Sequence, residues 1–386
     1  MAAPTTVATA RPTVIALALG VIGVAAGLAG TLGNGGLPGA VLMGFVFWVG
    51  LSVGGLGLLL IDHMAGGSWG AVVRRPLEAM VSALPVALLF FLPIAFFIPQ
   101  LYPWADAAYV EAHKLVAWKA GYLNATWYVL RSLIYFALWL LAAWIYLRGA
   151  REQDAADLGR AGLNGYRLKA TAAVWLVVYV LTMTLAVTDW TMSLTPEWWS
   201  GIYGLIFMIG QAIAAMSLVI LTMVWLARRS PRVDGLLTEK RLQDLGNFLM
   251  AFIMFWAYVN VSQLIIQWTN NVVETNTFYV LRLYEQPWQG LGVYLLVAGF
   301  FLPFLILFSR WVKRGRAVLA FMAGWALLNQ VLHVYWYVAP EIGRAGLPGF
   351  GDAAIFLGLG GIWFAAFLPQ PRRPLGGAGT RSQAAG

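Results

Sequence analysis

Apolar segments long enough to cross a bilayer recur along the whole chain, and nearly all Lys and Arg residues lie in alternate gaps between them. A membrane-spanning helix needs about 20 apolar residues, because each residue adds about 1.5 Å along its axis. Ten segments meet this requirement, at 12–32, 40–61, 80–100, 127–147, 170–189, 196–226, 245–268, 289–309, 317–338 and 350–368. The sequence therefore predicts an all-α polytopic transmembrane protein with one helical domain at 12–368. It is flanked by an N-terminus at 1–11 and a flexible, Pro-, Gly- and Arg-rich tail at 369–386.

The positions of the cations test this arrangement, since an even number of spans places both termini on one face. Twenty of the 25 Lys and Arg residues fall on the face that holds the termini, and Arg131 falls inside a span. The other face receives only Lys114, Lys119, Arg282 and Arg344. Cationic loops are retained in the cytoplasm during insertion. We therefore expect both termini in the cytoplasm. A wrong number of spans would mix the cation-rich and cation-poor gaps, so their separation also supports ten spans.

The composition excludes several functional classes. Charged residues are 11% of the chain, against about a quarter in soluble domains. The net charge of +9 is dispersed among short loops, so anionic lipid headgroups rather than nucleic acid are the expected neighbours. The chain has no Cys, which excludes thiolate-held iron–sulfur clusters and covalently attached c-type haem. Its three His, at 63, 113 and 333, fall at unequal depths, which argues against bis-histidine haem ligation, and no metal-ligand spacing is present.

Two ionisable residues are predicted at similar depth near the outer boundary. Arg131 lies one turn below Trp127 in the fourth span, and Asp189 ends the antiparallel fifth span. A carboxylate at a helix C-terminus meets the negative end of the helix dipole and gains from a nearby cation. We predict that the two pair, directly or through water, with Asp189 relaying or balancing protons and Arg131 tuning its pKa. The alternative is an Arg extending to the interface and an Asp in contact with water.

Further polar side chains gather toward the same outer half of the membrane. They are Asn329, His333 and Tyr337 on the ninth span, Asn260, Gln263 and Gln267 on the seventh, and Tyr203 and Gln211 on the sixth. One interpretation is a pocket for a quinone head group, menaquinol or ubiquinol, bound by Gln263, Gln267, Tyr203 and Asn329; another is a hydrated proton path that includes His333. The alternative is interhelical hydrogen bonding, worth about 0.6 kcal/mol per pair.

Two helix ends carry polar groups whose roles the sequence leaves open. His63 and Asp62 end the second span on the cytoplasmic side, where His63 could exchange protons near neutral pH, although ordinary hydrogen bonding explains it equally. Thr195, Pro196 and Glu197 fit a capped start of the sixth helix, with Pro at the first helical position.

Four blocks of the sequence resemble one known family. They are FVFWVGLSVGGLGLLLIDHMAGGSWG at 45–70, LYPW at 101–104 with the later His113 and Lys114, TDWTMSLTPEWWSGIYG from Thr188, and LGNFLMAFIMFWAYVNVSQLIIQW from Leu245. Together they resemble the ActF-type subunit of bacterial alternative complex III, a quinol:cytochrome c oxidoreductase (quinone-binding subunit 2), which is related to NrfD/PsrC-like membrane anchors. The resemblance covers about 45–314.

This resemblance implies two four-helix bundles with peripheral helices, in the inner membrane of a bacterium. It also implies partners that carry the redox centres, namely a multihaem cytochrome and an iron–sulfur protein, which pass electrons to cytochrome c or directly to an oxidase. An ActC-like sister subunit is the better candidate for quinol oxidation in that family. ActF-type chains are proposed to conduct protons or to support the assembly.

Two other readings remain open. A secondary transporter would show internal repeats and helices broken near mid-membrane, and the sequence has no convincing repeat of that kind. A purely structural membrane anchor would have the same spans without a proton path. The first apolar run could also be a cleaved signal peptide, although about 20 apolar residues exceed a usual signal core.

Overall fold

The computed structural model describes residues 7–31, 35–67, 69–156, 162–270, 273–344 and 346–368; residues 1–6 and the tail at 369–386 lie outside them. Ten helices in this part of the chain are long and apolar enough to cross a membrane, and it contains no strand. They are α1 (Val7–Thr31), α2 (Leu37–Ala65), α3 (Val72–Phe96), α4 (Ala125–Ala156), α5 (Gly162–Trp190), α6 (Tyr203–Ala227), α7 (Glu239–Asn270), α8 (Trp288–Phe308), α9 (Arg316–Val338) and α10 (Phe350–Phe367). The protein is an all-α, multi-pass membrane protein, as predicted.

Shorter helices occupy the gaps between the long ones. They are Ile98–Leu101, Ala107–Ala112, Lys114–Trp118, Pro231–Leu236, Val273–Tyr284 and Arg310–Arg314, with 3-10 turns at Pro103–Ala105, Met192–Leu194 and Pro340–Ile342. The helix Val273–Tyr284 fills most of the gap that the sequence treats as a loop between the seventh and eighth spans.

The long helices form two bundles of four. In the first bundle α2 packs against α3 and α5, and α4 against α3 and α5; in the second, α6 packs against α7 and α9, and α8 against α7 and α9. Helices α2 and α6 contact each other and form the seam between the bundles, so α2 is buried along almost its whole length. Helices α1 and α10 pair outside the bundles, with α10 against α2. This arrangement confirms the fold that the resemblance implies.

The ends of the helices define two faces. The basic face carries the Arg74 and Asp62 ion pair where α2 meets α3, and the Arg316 and Asp234 ion pair where the α6–α7 and α8–α9 connections meet. The opposite end, here called the outer face, carries Arg131 near the start of α4. The alternation of gaps predicted from the sequence is therefore reproduced in the fold. Which face contacts the cytoplasm stays a prediction.

Glycines allow the pair formed by α1 and α10 to pack backbone against backbone. A Cβ added at Gly23 of α1 would lie 2.8 Å from the Cα of Gly358 in α10, a distance that real Cβ atoms do not adopt. In α2, a Cβ at Gly54 would lie 2.8 Å from the Cβ of Gln211 in α6. The glycines of the first two spans thus serve close helix contact, as expected where lipid offers no hydrophobic drive for association.

Prolines interrupt two of the long helices. The helical segment that contains α3 begins at Gly70 and is divided into Gly70–Ser82, Leu84–Leu89 and Phe91–Phe96, with Pro85 and Pro93 inside the second and third pieces. Helix α8 contains a π-helical segment, Leu295–Phe301, directly before Pro303. Proline lacks an amide hydrogen and displaces the preceding turn. The interruptions occur near Pro85, Pro93 and Pro303, as this property of proline leads one to expect.

The prediction of the third span at 80–100 is wrong. The helix runs instead from the basic face, with its apolar span at Val72–Phe96. Arg74 donates two hydrogen bonds to Asp62, at 3.1 and 3.0 Å, and Arg75 binds Glu78 at 3.3 Å. Because these ion pairs satisfy the charges, the helix begins before the cations rather than after them.

The start of the sixth span was also wrong. Thr195 and Pro196 do not begin a helix, and α6 starts at Tyr203. The Thr195 hydroxyl donates to Glu341, and the carbonyl of Pro196 accepts from Lys119 Nζ at 2.7 Å. Partners distant in sequence thus occupy the groups that local capping would have used.

Candidate functional site

A buried ion pair joins α4 and α5 at the outer face. Arg131 Nε and Nη2 lie 2.9 and 3.0 Å from the two carboxylate oxygens of Asp189. The hydroxyl of Tyr135, one turn along α4, donates to the same carboxylate at 2.9 Å. The Asp189 side chain is fully buried and that of Arg131 is 15% exposed. This confirms the predicted pairing; the proton role of these residues stays a prediction.

The loop before α4 completes this group, which we call the Asp189 network (Asp189, Arg131, Tyr135 and Tyr122). Arg131 Nη1 donates to the carbonyl of Tyr122 at 3.0 Å, and its guanidinium carbon lies 3.7 Å from the centroid of the Tyr122 ring. Burial, together with the charge of Asp189, raises the pKa of Tyr122 to about 12. The Tyr122 side chain is still 39% exposed, so the network extends from a buried carboxylate to the protein surface.

The Asp189 network can contain two buried charged groups because Arg131 and Asp189 form an ion pair. Asp189 lies in the last turn of α5, where the partial negative charge of the helix end disfavours a carboxylate. The bidentate contact with Arg131 offsets this effect and fixes the carboxylate plane. Removing either partner of such a buried pair leaves an uncompensated charge, which costs about 3–5 kcal/mol.

An aromatic layer separates the Asp189 network from the interior of the first bundle. Trp190 packs edge-on against Phe45 of α2, with centroids 4.8 Å apart, and stacks on Phe136 at 5.8 Å. Its indole nitrogen donates to Ser132 Oγ at 2.9 Å, and its carbonyl accepts from the Tyr102 hydroxyl at 2.9 Å. The Asp189 network is therefore accessible from the outer face, and on its inner side it is bounded by packed aromatic side chains.

A second buried ion pair, which the sequence does not predict, lies at the outer face of the second bundle. Arg282 is fully buried, and its Nη1 lies 2.7 Å from Glu341 Oε1. The guanidinium also donates to the carbonyls of Phe278, Trp336 and Tyr337, at 2.8, 3.2 and 2.8 Å. Four hydrogen bonds thus satisfy a cation that the sequence placed in an exposed loop.

Sequence reasoning could not detect this pair because both partners lie outside the predicted spans. Arg282 belongs to the helix Val273–Tyr284, and Glu341 to the turn that follows α9. The one available signal was the spacing of Phe278 and Arg282, four residues apart. On a helix this spacing places the cation above the ring, and the observed distance to the ring centroid is 3.4 Å.

His333 lies inside the second bundle and takes part in a defined hydrogen bond. Its Nε2 is 3.2 Å from the indole nitrogen of Trp256 and 3.4 Å from Asn260 Oδ1. An indole nitrogen can only donate, so Nε2 must accept and the imidazole is neutral with its hydrogen on Nδ1. Asn260 Oδ1 instead accepts from the Tyr337 hydroxyl at 2.9 Å. The predicted stripe of His333 and Tyr337 on α9 therefore faces α7.

Two of the four quinone-binding candidates share a neighbour near the outer face. Gln267 Oε1 accepts from Trp198 Nε1 at 2.8 Å, and its Nε2 donates to the Trp199 carbonyl at 3.1 Å. The buried ring of Tyr203 contacts Trp198 edge-on, with centroids 5.3 Å apart. The oxygen and the nitrogen of the Gln267 amide each therefore have a partner within the protein.

The other two candidates keep polar atoms without a partner. Asn329 Nδ2 donates to the Trp325 carbonyl at 2.8 Å, but its buried Oδ1 has no partner among the described residues. The same holds for Nε2 of the buried Gln263. In the described part of the chain, Tyr203, Gln263, Gln267 and Asn329 share no hydrogen-bond partner. A quinone site formed by these four residues stays a prediction.

A small cavity with a mainly apolar lining lies at the seam between the bundles. Its polar lining consists of Gln211 on α6 and of Gln330 and His333 on α9. Its apolar lining consists of Val46, Phe47, Leu51, Phe207, Ala214 and Val334, together with Gly210. It leaves about 20 Å³ for the centre of a water molecule. None of the four quinone-binding candidates lines it.

His63 lies at the basic face, at the other end of the first bundle from the Asp189 network. Its Nδ1 is 2.9 Å from the Leu59 carbonyl and its ring packs edge-on against Tyr146, with centroids 5.0 Å apart. Its buried Nε2 has no partner in the described part of the chain. The adjacent Asp62 is bound by Arg74 instead. The fold thus separates His63 from the other proton-path candidates.

The chain matches no protein-family model, and a search of curated proteins finds no significant match.

Proposed function

We propose that this chain is a membrane subunit of a respiratory quinol:electron-acceptor oxidoreductase of the alternative complex III type, in a bacterial inner membrane with both termini cytoplasmic. Its partners would be a multihaem cytochrome, an iron–sulfur protein and an ActC-like sister subunit, which carry the redox centres. The four sequence blocks and the arrangement in two bundles support this proposal. The observation that carries a functional role for this chain is the buried carboxylate of Asp189.

The chemistry of the Asp189 network suits proton transfer coupled to a movement of Arg131. With Arg131 in place, the carboxylate accepts two hydrogen bonds from the guanidinium and lies beside its positive charge. If Asp189 takes up a proton, Arg131 retains the Tyr122 carbonyl and ring as its remaining partners. Ionisable groups of this kind inside membrane proteins commonly mark proton relays. The proposal assigns Asp189 as the proton carrier and Arg131 as the residue that sets the affinity of Asp189 for the proton.

In this proposal the chain helps to bind quinol but does not itself oxidise it. Buried amide atoms without partners at Gln263 and Asn329 offer hydrogen bonds to a menaquinol or ubiquinol head group. Gln267, in contrast, is already bonded to Trp198 and Trp199. In keeping with the family resemblance, the proposal places quinol oxidation itself on the sister subunit.

Replacing Asp189 by Asn tests the proposal, because the amide keeps the side-chain volume and cannot carry the proton. In the assembled complex we expect quinol-driven turnover and proton release to fall by roughly 10²-fold, the size of a lost acid–base group. Asp352→Asn is the matched control, since Asp352 pairs with Arg344 at 2.6 Å outside the two bundles. Wild-type rates and proton yield in an assembled Asp189→Asn complex would remove the role.

A secondary transporter is the second candidate, because α3 and α8 are interrupted inside the membrane as transporter helices often are. Purification in mild detergent separates the two candidates. Co-isolation with multihaem and iron–sulfur proteins supports the oxidoreductase subunit, and isolation of a lone chain supports the transporter. Co-isolation together with an unaffected Asp189→Asn complex would identify a purely structural anchor.

A further inference from the structure

We propose that the cavity at the seam, between α2, α6 and α9, holds one bound water molecule, which links His333 and Gln330 on α9 to Gln211 on α6. The proposal rests on the unpaired polar atoms that meet there, and it does not depend on the respiratory role proposed above.

The unpaired atoms match the hydrogen-bonding capacity of one water. The side-chain oxygens of Gln211 and Gln330 are buried acceptors without a partner among the described residues. His333 Nδ1 carries the imidazole hydrogen, because Nε2 accepts from Trp256. A water molecule donates two hydrogen bonds and accepts others, so it can satisfy both oxygens and the Nδ1 hydrogen together. Leaving a buried polar atom unsatisfied costs about 1–3 kcal/mol.

The size of the cavity selects water over larger ligands. A water molecule needs about 10–15 Å³ of space for its centre, and the cavity provides about 20 Å³. A quinone ring is several times larger. A metal ion is disfavoured because no carboxylate lines the cavity, and two amide oxygens do not offset the loss of an ion's hydration in an apolar surrounding.

The water would complete a chain of polar contacts through both bundles. The chain runs from Trp256 on α7 to His333 on α9, then through the water to Gln211 on α6. Gln211 Nε2 in turn lies 3.7 Å from the sulfur of Met183 on α5. Without the water, the contacts of His333 end inside the second bundle.

The three histidines of this chain make the proposal testable by solid-state NMR of the full-length protein in lipid bilayers with ¹⁵N-labelled imidazoles. His333→Gln identifies the His333 signals. We expect a neutral ring with hydrogen on Nδ1, and a cross-peak between that hydrogen and water. Absence of the cross-peak in the wild-type protein, or a ring with hydrogen on Nε2, would overturn the proposal.

Gly210→Ala should expel the water, because the added Cβ would lie 2.8 Å from Gln330 Oε1 and 3.7 Å from His333 Nδ1. We expect the water cross-peak to disappear and the Nδ1 signal to shift. Gly324→Ala, on the same helix as His333, is the matched control, since its Cβ would meet nothing within 4 Å. A cross-peak that survives Gly210→Ala contradicts the proposal. If Gly210→Ala does not fold, Gln330→Met removes one acceptor at similar side-chain length and must weaken the cross-peak.

Discussion

The guanidinium of Arg131 donates two parallel hydrogen bonds to the carboxylate of Asp189, although the residues are 58 positions apart and belong to different helices. The contact lies at the same depth on antiparallel neighbours, and Tyr135 adds a third bond to the carboxylate. An ion pair that is fully buried on one side and bidentate fixes the relative height of α4 and α5. The same contact supplies the one titratable carboxylate around which the proposed function is built.

A double-mutant cycle measures how strongly the two residues depend on each other. We expect Arg131→Gln to destabilise the protein by about 3–5 kcal/mol, because Asp189 is left as a buried charge without its partner. Replacing both residues, with Asp189→Asn, should cost less than the sum of the two single changes. Denaturant unfolding of the purified chain in detergent, followed by circular dichroism, provides the free energies. Additive effects would show that the pair contributes no coupling.

Arg282 should be far more important for stability than an exposed arginine with an ion pair of similar length. Arg282→Gln removes a fully buried cation with four hydrogen bonds, and we expect a loss of about 3–5 kcal/mol. The control is Arg148→Gln, which breaks the exposed 2.9 Å pair with Glu152 and should cost about 0.3–0.5 kcal/mol. Thermal unfolding of both variants in the same detergent tests the difference, and equal losses would contradict the burial of Arg282.

Tyr122 should make the protein less stable in strongly alkaline solution. Its pKa rises from 10.0 to about 12 on folding because of burial and the charge of Asp189. Below pH 10 both folded and unfolded chains keep the proton, so stability is unaffected. Between pH 10 and 12 only the unfolded chain loses it, and stability falls as the pH rises. Between pH 10 and 12, the free energy of unfolding should fall less steeply with pH for Tyr122→Phe than for the wild-type protein. Identical slopes would contradict the raised pKa of Tyr122.

The number of spans and the Arg131–Asp189 contact could be predicted because both depend on properties that run along the chain. Apolar length fixes where a helix crosses, and neighbouring antiparallel helices bring residues of equal depth together. The pair formed by Arg282 and Glu341 could not be predicted in this way. It depends on how the helix Val273–Tyr284 folds back over the end of α9, which no local pattern in the sequence records.

The cavity at the seam between the bundles is a second feature that could not be predicted from the sequence. The sequence gives the approximate depth of Gln211 and the stripe that His333 occupies on α9. It does not give the rotation of α6 against α9, which decides whether the two side chains meet. That rotation follows in part from Gly210, where a larger side chain would collide with Gln330. The cavity therefore depends on how α6 and α9 pack against each other, and the periodicity along either helix alone does not predict it.

The proton role of the Asp189 network requires the outer face to lie outside the cytoplasm. Because the chain has no Cys, single cysteines can be labelled without background. Gly201, just before α6 at the outer face, and Gly235, in the short helix at the basic face, are both exposed, and an added Cβ meets nothing within 4 Å at either. In intact spheroplasts a membrane-impermeant maleimide should label Gly201→Cys, and should label Gly235→Cys only after lysis. Labelling of Gly235→Cys but not Gly201→Cys in intact spheroplasts would contradict the orientation and the outward-facing proton role that depends on it.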